Sequence, residues 1–124
     1  MEYTYDANKL TLHPQGRHRG TIIRIEEITS RYGTRQVEIT VETMSFDGDI
    51  EIRHIKDWPN ATFKPNSDLG KIYTAVSGQE IVPGLEIDTD QDLLHKSALV
   101  DIEHYAKKTD GKMGMRIREW LPLN

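Results

Sequence analysis

No cysteine occurs in the 124 residues. Disulfide staples, zinc ribbons and thiol nucleophiles are therefore excluded, along with the disulfide-rich architecture of many small secreted domains. Long apolar runs are missing as well, since none approaches the roughly 18–20 residues that a membrane-spanning helix requires. Met1 to His13 has no basic segment leading into an apolar stretch, so no secretory signal is expected. The expectation is an intracellular protein that does not engage a membrane. Aromatic residues are sparse, at 7% of the chain, so each ring has to be assigned either to the core or to a ligand. A net charge of −4 argues against coating a polyanion by bulk attraction.

What is present suffices for one domain. Hydrophobic residues at 36% can fill a core, charged residues at 29% can solvate its surface, and the length lies within the usual range for a single domain. The charge is segregated along the chain. Val82 to Gln91 carries Glu86, Asp88 and Asp90 with no lysine or arginine, whereas His104 to Arg118 carries Lys107, Lys108, Lys112, Arg116 and Arg118 against Asp110 alone.

Thr21 to Thr29 contains Ile22, Ile23, Ile25 and Ile28, a β-branched run whose alternation slips around Glu26 and Glu27, as a bulge would make it. A turn at Ser30 to Thr34 follows. Val37, Ile39 and Val41 then alternate with Gln36, Glu38, Thr40 and Glu42, which predicts a second strand with one apolar and one polar face. After a turn at Phe46 to Asp49, residues Ile50 to Ile55 form a third strand. Pro59 and Pro65 interrupt the next segment, which holds Trp58 and Phe63. Ser67 as N-cap, Leu69, Ile72, Tyr73 and Val76 at helical spacing, and Gly78 as terminator predict a helix, with Gly70 weakening it. Gln79 to Gln91 reads as an acidic loop and Asp92 to Lys96 as a short helical turn. Ala98 to Tyr105 and Met113 to Arg118 alternate as strands four and five around an Asp110-Gly111 hairpin signal.

This order predicts an all-β architecture, a five-stranded Greek-key barrel with one helix between strands three and four, in which closure hides the strand edges. Ile23, Ile25, Val37, Ile39, Val41, Val100, Ile102 and Ile117 are expected to point inward. Residues 16–124 form this single domain, and residues 1–15 an N-terminal arm or an extra edge strand.

The order of elements, the first strand beginning after Gly20, Tyr32 to Val37, Asp68 to Tyr73 and Asp92 to Lys96 resemble the OB-fold single-stranded-DNA-binding proteins of phage and prophage replication or recombination modules. In related sequences the position of His95 is often glycine, and the acidic C-terminal tail that many of them use to recruit partners does not appear in Glu119 to Asn124. The resemblance implies non-sequence-specific binding of single-stranded DNA in the cytoplasm of a bacterial host cell. Homodimerisation and contacts with replication or recombination proteins are kept as open partner expectations.

An OB fold binds ligands across strands two and three, between the loop joining strands one and two and the loop joining strands four and five. Arg31, Tyr32 and Arg35 occupy the first loop and Lys107, Lys108 and Lys112 the second, so both are expected to converge on one groove. Arg53 and Arg116 would add cations, while Tyr32, Trp58, Phe63 and Tyr105 would stack on bases. The plainer readings are that basic turn residues merely solvate and that Trp58 and Phe63 pack under the irregular segment. Glu38 and Glu42 face outward on strand two and would repel phosphate, which favours the alternative of a protein-interaction module using that acidic face and the Gln79 to Gln91 loop.

No catalytic residue, metal or cofactor is expected. Asp88, Asp90 and Asp92 start like a calcium loop, but Leu93 stands where glycine is needed and Leu99 where glutamate is needed. The five histidines have no ligand spacing, and Gly70-Lys71 lacks the preceding glycine of a phosphate-binding loop.

Overall fold

The structure, a computed structural model, describes residues 13–47, 49–108 and 110–123, and of 45–47 and 49–51 the backbone alone. Of the expected N-terminal arm, residues 1–12 lie outside this set. Five strands and two helical segments follow one another: β1 (Gly16–Thr29), β2 (Arg35–Asp47), β3 (Asp49–Asp57), α1 (Asp68–Ser77), α2 (Thr89–Asp92), β4 (Ser97–Ala106) and β5 (Met113–Leu121). The strands make one antiparallel sheet in the order β3-β2-β1-β4-β5. Among the described residues the hydrogen-bonded ladder does not close, and β3 and β5 are its two edges. No helix among them is long and apolar enough to cross a membrane.

Strand β1 holds the sheet together because it serves two partners. Its first half, Gly16 to Thr21, pairs with β4, and its second half, from Gly20 onward, pairs with β2. Gly20 faces Thr43 on one side and Ala98 on the other. A Cβ placed there would meet Val41 Cγ1 at 2.5 Å, so a bare backbone is what lets the three strands approach at the changeover.

The bulge lies earlier than the charge pattern suggested. Ile22 pairs with Val41 and Arg24 with Thr40, leaving Ile23 as the extra residue, whereas Glu26 and Glu27 pair in regular register. An extra residue reverses the parity of a strand. Ile22 is therefore fully buried and Ile23, expected inside, is only half-buried, while Ile25 still packs against the core opposite Ile39. Val37, Ile39, Val41, Val100, Ile102 and Ile117 are buried as expected.

Helix α1 closes over this core with Leu69, Ile72 and Tyr73. Ser67 Oγ accepts from the Gly70 N–H at 3.0 Å, and Gly78, at φ 74°, returns its N–H to Thr74 O at 2.9 Å. The second helical turn starts three residues before its expected place. Asp88 accepts from the Asp90 and Gln91 amides and so starts the turn at Thr89 rather than Asp92. Of the carboxylates that imitate a calcium loop, Asp88 is thus the cap and Asp92 accepts the Asp88 N–H in return. His95 leaves the turn at φ 65°, and its N–H bonds Ile22 O at 2.7 Å while Ile22 N–H bonds Lys96 O at 2.9 Å. That pair carries the chain from α2 into β4.

Candidate nucleic-acid interface

The outer face of β2 and β3 follows from alternation. Buried Ile39 and Val41 place Glu38, Thr40, Glu42 and Met44 on the other side, and the register brings His54 opposite Glu42 and Lys56 opposite Thr40. The two glutamates that seemed to repel a polyanion are both engaged. Glu38 takes the Lys56 ammonium at 3.1 Å and the Trp58 indole N–H at 3.0 Å, and Glu42 meets His54 at 3.2 Å. The Trp58 hydrogen bond, followed by that of Lys56, holds the Glu38 carboxyl below the ordinary carboxylate range. Trp58 itself is half exposed.

At the β1–β2 turn, Ser30 Oγ accepts from the Thr34 N–H at 3.1 Å, and Gly33 takes φ 83°. Arg31 donates to Tyr32 Oη at 2.8 Å with its guanidinium 4.9 Å above the ring, and the ring is 79% exposed. Nothing in the core calls for a tyrosine held out in this way. Arg35 is bound to Glu27, its Nε donating at 2.6 Å. Of the turn cations, Arg31 alone has no carboxylate partner among the described residues.

The β4–β5 hairpin closes through Lys107 N–H to Lys112 O at 2.9 Å, with Gly111 at φ 69° and Asp110 Oδ1 accepting from the Lys112 amide. Lys107, Lys108 and Lys112 are exposed and have no carboxylate partner among the described residues. Beside them Tyr105 lies across Gly114, where a Cβ would come within 2.8 Å of the ring, and the Arg116 guanidinium sits 5.0 Å over it. Arg116 is also held by Glu103.

The two basic loops stand at opposite ends of β1. The ladder sets the lysine hairpin beyond Gly16, whereas the Arg31 turn follows Thr29. Thirteen residue steps at about 3.3 Å separate these ends by roughly 40 Å of strand before curvature shortens the path. A ligand touching both must be an extended chain. Arg53 is not brought to this outer face: it pairs with buried Thr43 and falls on the inner side with Ile55. Phe63 packs against the core with its ring edge-on to Tyr73 at 6.4 Å.

Two groups of residues escaped the sequence reading. Arg17 and Arg19, exposed on the outer face of β1, have no carboxylate partner among the described residues. On the inner side, His13 and His18 meet the sequence-remote His104. His13 is 1% exposed, donates from Nδ1 to Pro14 O at 2.9 Å and bonds Thr43 through Nε2. His18 meets it edge-on at 4.4 Å, and His104 Nε2 donates to His13 O at 2.5 Å. Burial lowers the His13 pKa, the Pro14 bond opposes this, and His18, Arg53 and His104 lower it further. No group of three or more histidines or carboxylates among the described residues is arranged to hold a metal ion.

Compared with protein-family models and with curated proteins, the chain matches none.

Proposed function

We propose that this chain binds single-stranded DNA without sequence preference, on a sheet curled as an OB-type barrel, in replication or recombination of the phage or prophage kind. The observation that carries the reading is the division of its charges. On the strand surfaces Glu26, Glu27, Glu38, Asp101 and Glu103 each meet an arginine or a lysine and Glu42 meets the His54 ring, whereas Arg31 and the three hairpin lysines remain without a carboxylate partner among the described residues. Cations without a carboxylate partner among the described residues therefore stand at both loops, and at Arg17 and Arg19 on β1, despite the net charge of −4. Tyr32 stands exposed at one of them as a stacking surface.

The strand order and the approach of the two edge strands through Trp120 and Asp57 support the barrel form. His95 supports the resemblance at a single position, because its positive φ is a conformation that glycine adopts without strain, and related sequences often carry glycine there. The interaction-module alternative loses support, since Glu38 is paired with Lys56 and bound by Trp58, Glu42 is engaged by His54, and Asp88 and Asp92 accept backbone N–H groups.

Titration of a fluorescent oligonucleotide at two salt concentrations tests the reading. Counterion release makes affinity fall steeply as salt rises. Absence of binding at low salt would overturn it.

A further inference from the structure

Where β1 leaves β2 for β4, the outer surface opens. Gly20–Thr43 is the last β1–β2 pair, and beyond it lies a cleft of about 510 Å³ lined by Arg17, His18, Arg19, Thr21, Glu42 and Met44. We propose that this cleft is a phosphodiester subsite for the bound single strand, with Arg17 and Arg19 holding two consecutive phosphates and Met44 supporting the base between them. The inference rests on the single-strand-binding reading above and extends it to residues outside both hairpin loops.

Four observations carry it. First, Arg17 and Arg19 are two apart on one strand, so they share a face and stand about 6.6 Å from each other, a separation suited to neighbouring phosphates of an extended strand. Second, both are exposed and lack a carboxylate partner among the described residues, although other strand arginines have one: Arg24 pairs with Glu26, Arg116 with Glu103 and Arg118 with Asp101. The contrast is sharpest at Arg17. Asp101 lies directly across the ladder from it, yet that carboxylate is engaged by Arg118 at 2.5 Å. A guanidinium left without a carboxylate keeps its paired donors available for phosphate oxygens.

Third, Met44 is 47% exposed beside these arginines, offering a polarizable apolar surface with no core to fill. The acid in the cleft, Glu42, meets His54 on the neighbouring strand. Fourth, the position is continuous with the proposed interface. Arg17 and Arg19 lie on β1 between the lysine hairpin beyond Gly16 and the outer face of β2, so a strand leaving the hairpin toward the Arg31 turn passes over them.

The test uses the full chain and a fluorescent oligothymidylate of about 15 nucleotides, long enough for one OB-type site. For Arg17→Ala/Arg19→Ala, affinity at low salt is expected to fall at least about tenfold, and the slope of log affinity against log salt to drop by about 1.4, the value for two lost phosphate contacts on a single strand. Arg17→Lys/Arg19→Lys should weaken binding less and keep the slope, because charge remains while the planar fork is lost. Met44→Ala should lower affinity with no change in slope. Lys64→Ala/Lys96→Ala, which removes the same charge at exposed positions that do not line the cleft, should leave both quantities near wild type.

Wild-type binding with an unchanged Arg17→Ala/Arg19→Ala variant, or an equal loss in the Lys64→Ala/Lys96→Ala control, overturns the subsite and leaves the single-strand reading standing. Failure of the wild type to bind at low salt overturns both. Thermal unfolding of each variant accompanies the titration, and a loss of affinity tracking a loss of folded protein counts against the subsite.

Discussion

Trp120 donates its indole N–H to Asp57 Oδ2 at 2.8 Å, joining the last strand to the end of β3 across the seam where no ladder runs. The other oxygen of Asp57 accepts the Trp58 backbone N–H at 2.9 Å. Burial raises the Asp57 pKa, and the Trp120 and then the Trp58 hydrogen bonds oppose that rise. Trp120→Phe keeps an aromatic side chain, though a smaller one than the indole packed against the core, and removes the donor, leaving a desolvated carboxylate short of a partner. The expected loss at pH 7 is about 1–3 kcal/mol in chemical denaturation, the range for a buried polar group left short of its partner. Because the folded pKa lies above the unfolded one, the Asp57 contribution is fully present below about 3.8 and is lost as pH rises through the folded value. The variant should therefore be closest to wild type in acid. Equal destabilisation at every pH would contradict this account.

His13 has the opposite sign. Its pKa is lowered in the folded state, so the protonated form is disfavoured there and stability is fully present above the ordinary value of about 6.5. It is expected to decline as pH falls from that value through the folded pKa. Denaturation midpoints measured from pH 7.5 to 5 should drop in the wild type and drop less in His13→Gln. NMR titration of the imidazole should place its midpoint below those of exposed histidines.

Gly70→Ala separates helix propensity from packing. Within a helix, alanine is favoured over glycine by about 1 kcal/mol. Here a Cβ would lie 1.8 Å from the backbone oxygen of Lys64, which cannot move without disturbing the Ser67 cap. The variant is expected to lose about 2 kcal/mol or more, in the range of an overpacked site. A rise in melting temperature would show that the turn before α1 yields readily.

Within the proposed interface, charge and stacking should separate. Lys107→Ala/Lys108→Ala should lower the salt slope by about 1.4 and weaken binding to all sequences alike, since phosphate contacts carry no base information. Tyr32→Ala should cost about 1–3 kcal/mol of affinity with the slope unchanged, as a lost stacking contact does. Its melting temperature should stay at the wild-type value because the ring is 79% exposed and supports no core residue. Oligonucleotide titrations at several salt concentrations, with thermal scans, read both effects.

Much of the framework is legible in the residues themselves. Alternation in Val37 to Val41 and Ala98 to Ile102 names the buried face because side chains on a strand have a period of two, and that rule needs no knowledge of the partner strand. Ser67 and Gly78 mark the ends of α1 because the helix's unsatisfied backbone groups require such caps at those places. Extending the same reasoning to β1 fails at Ile23, since the position of a bulge depends on how two strands align rather than on either alone. Cap chemistry likewise explains the displaced second helix. Asp88 competes for the start of that turn, and its win over Asp92 depends on the local backbone it meets.

By itself, then, the sequence determined the strand count, the helix, its caps and most of the buried face, because these are consequences of local periodicity and of the hydrogen-bonding demands of nearby backbone. Only the tertiary structure decided which charges remain available. Whether Arg17 keeps its guanidinium open or loses it to Asp101 depends on Arg118 arriving from β5, and whether Glu38 and Glu42 repel a polyanion depends on Lys56, Trp58 and His54 arriving from the β3 side. The meeting of His13, His18 and His104 is of the same kind. Electrostatic partnership is a matter of distance in space, and strand register, which joins residues remote in the chain, sets that distance.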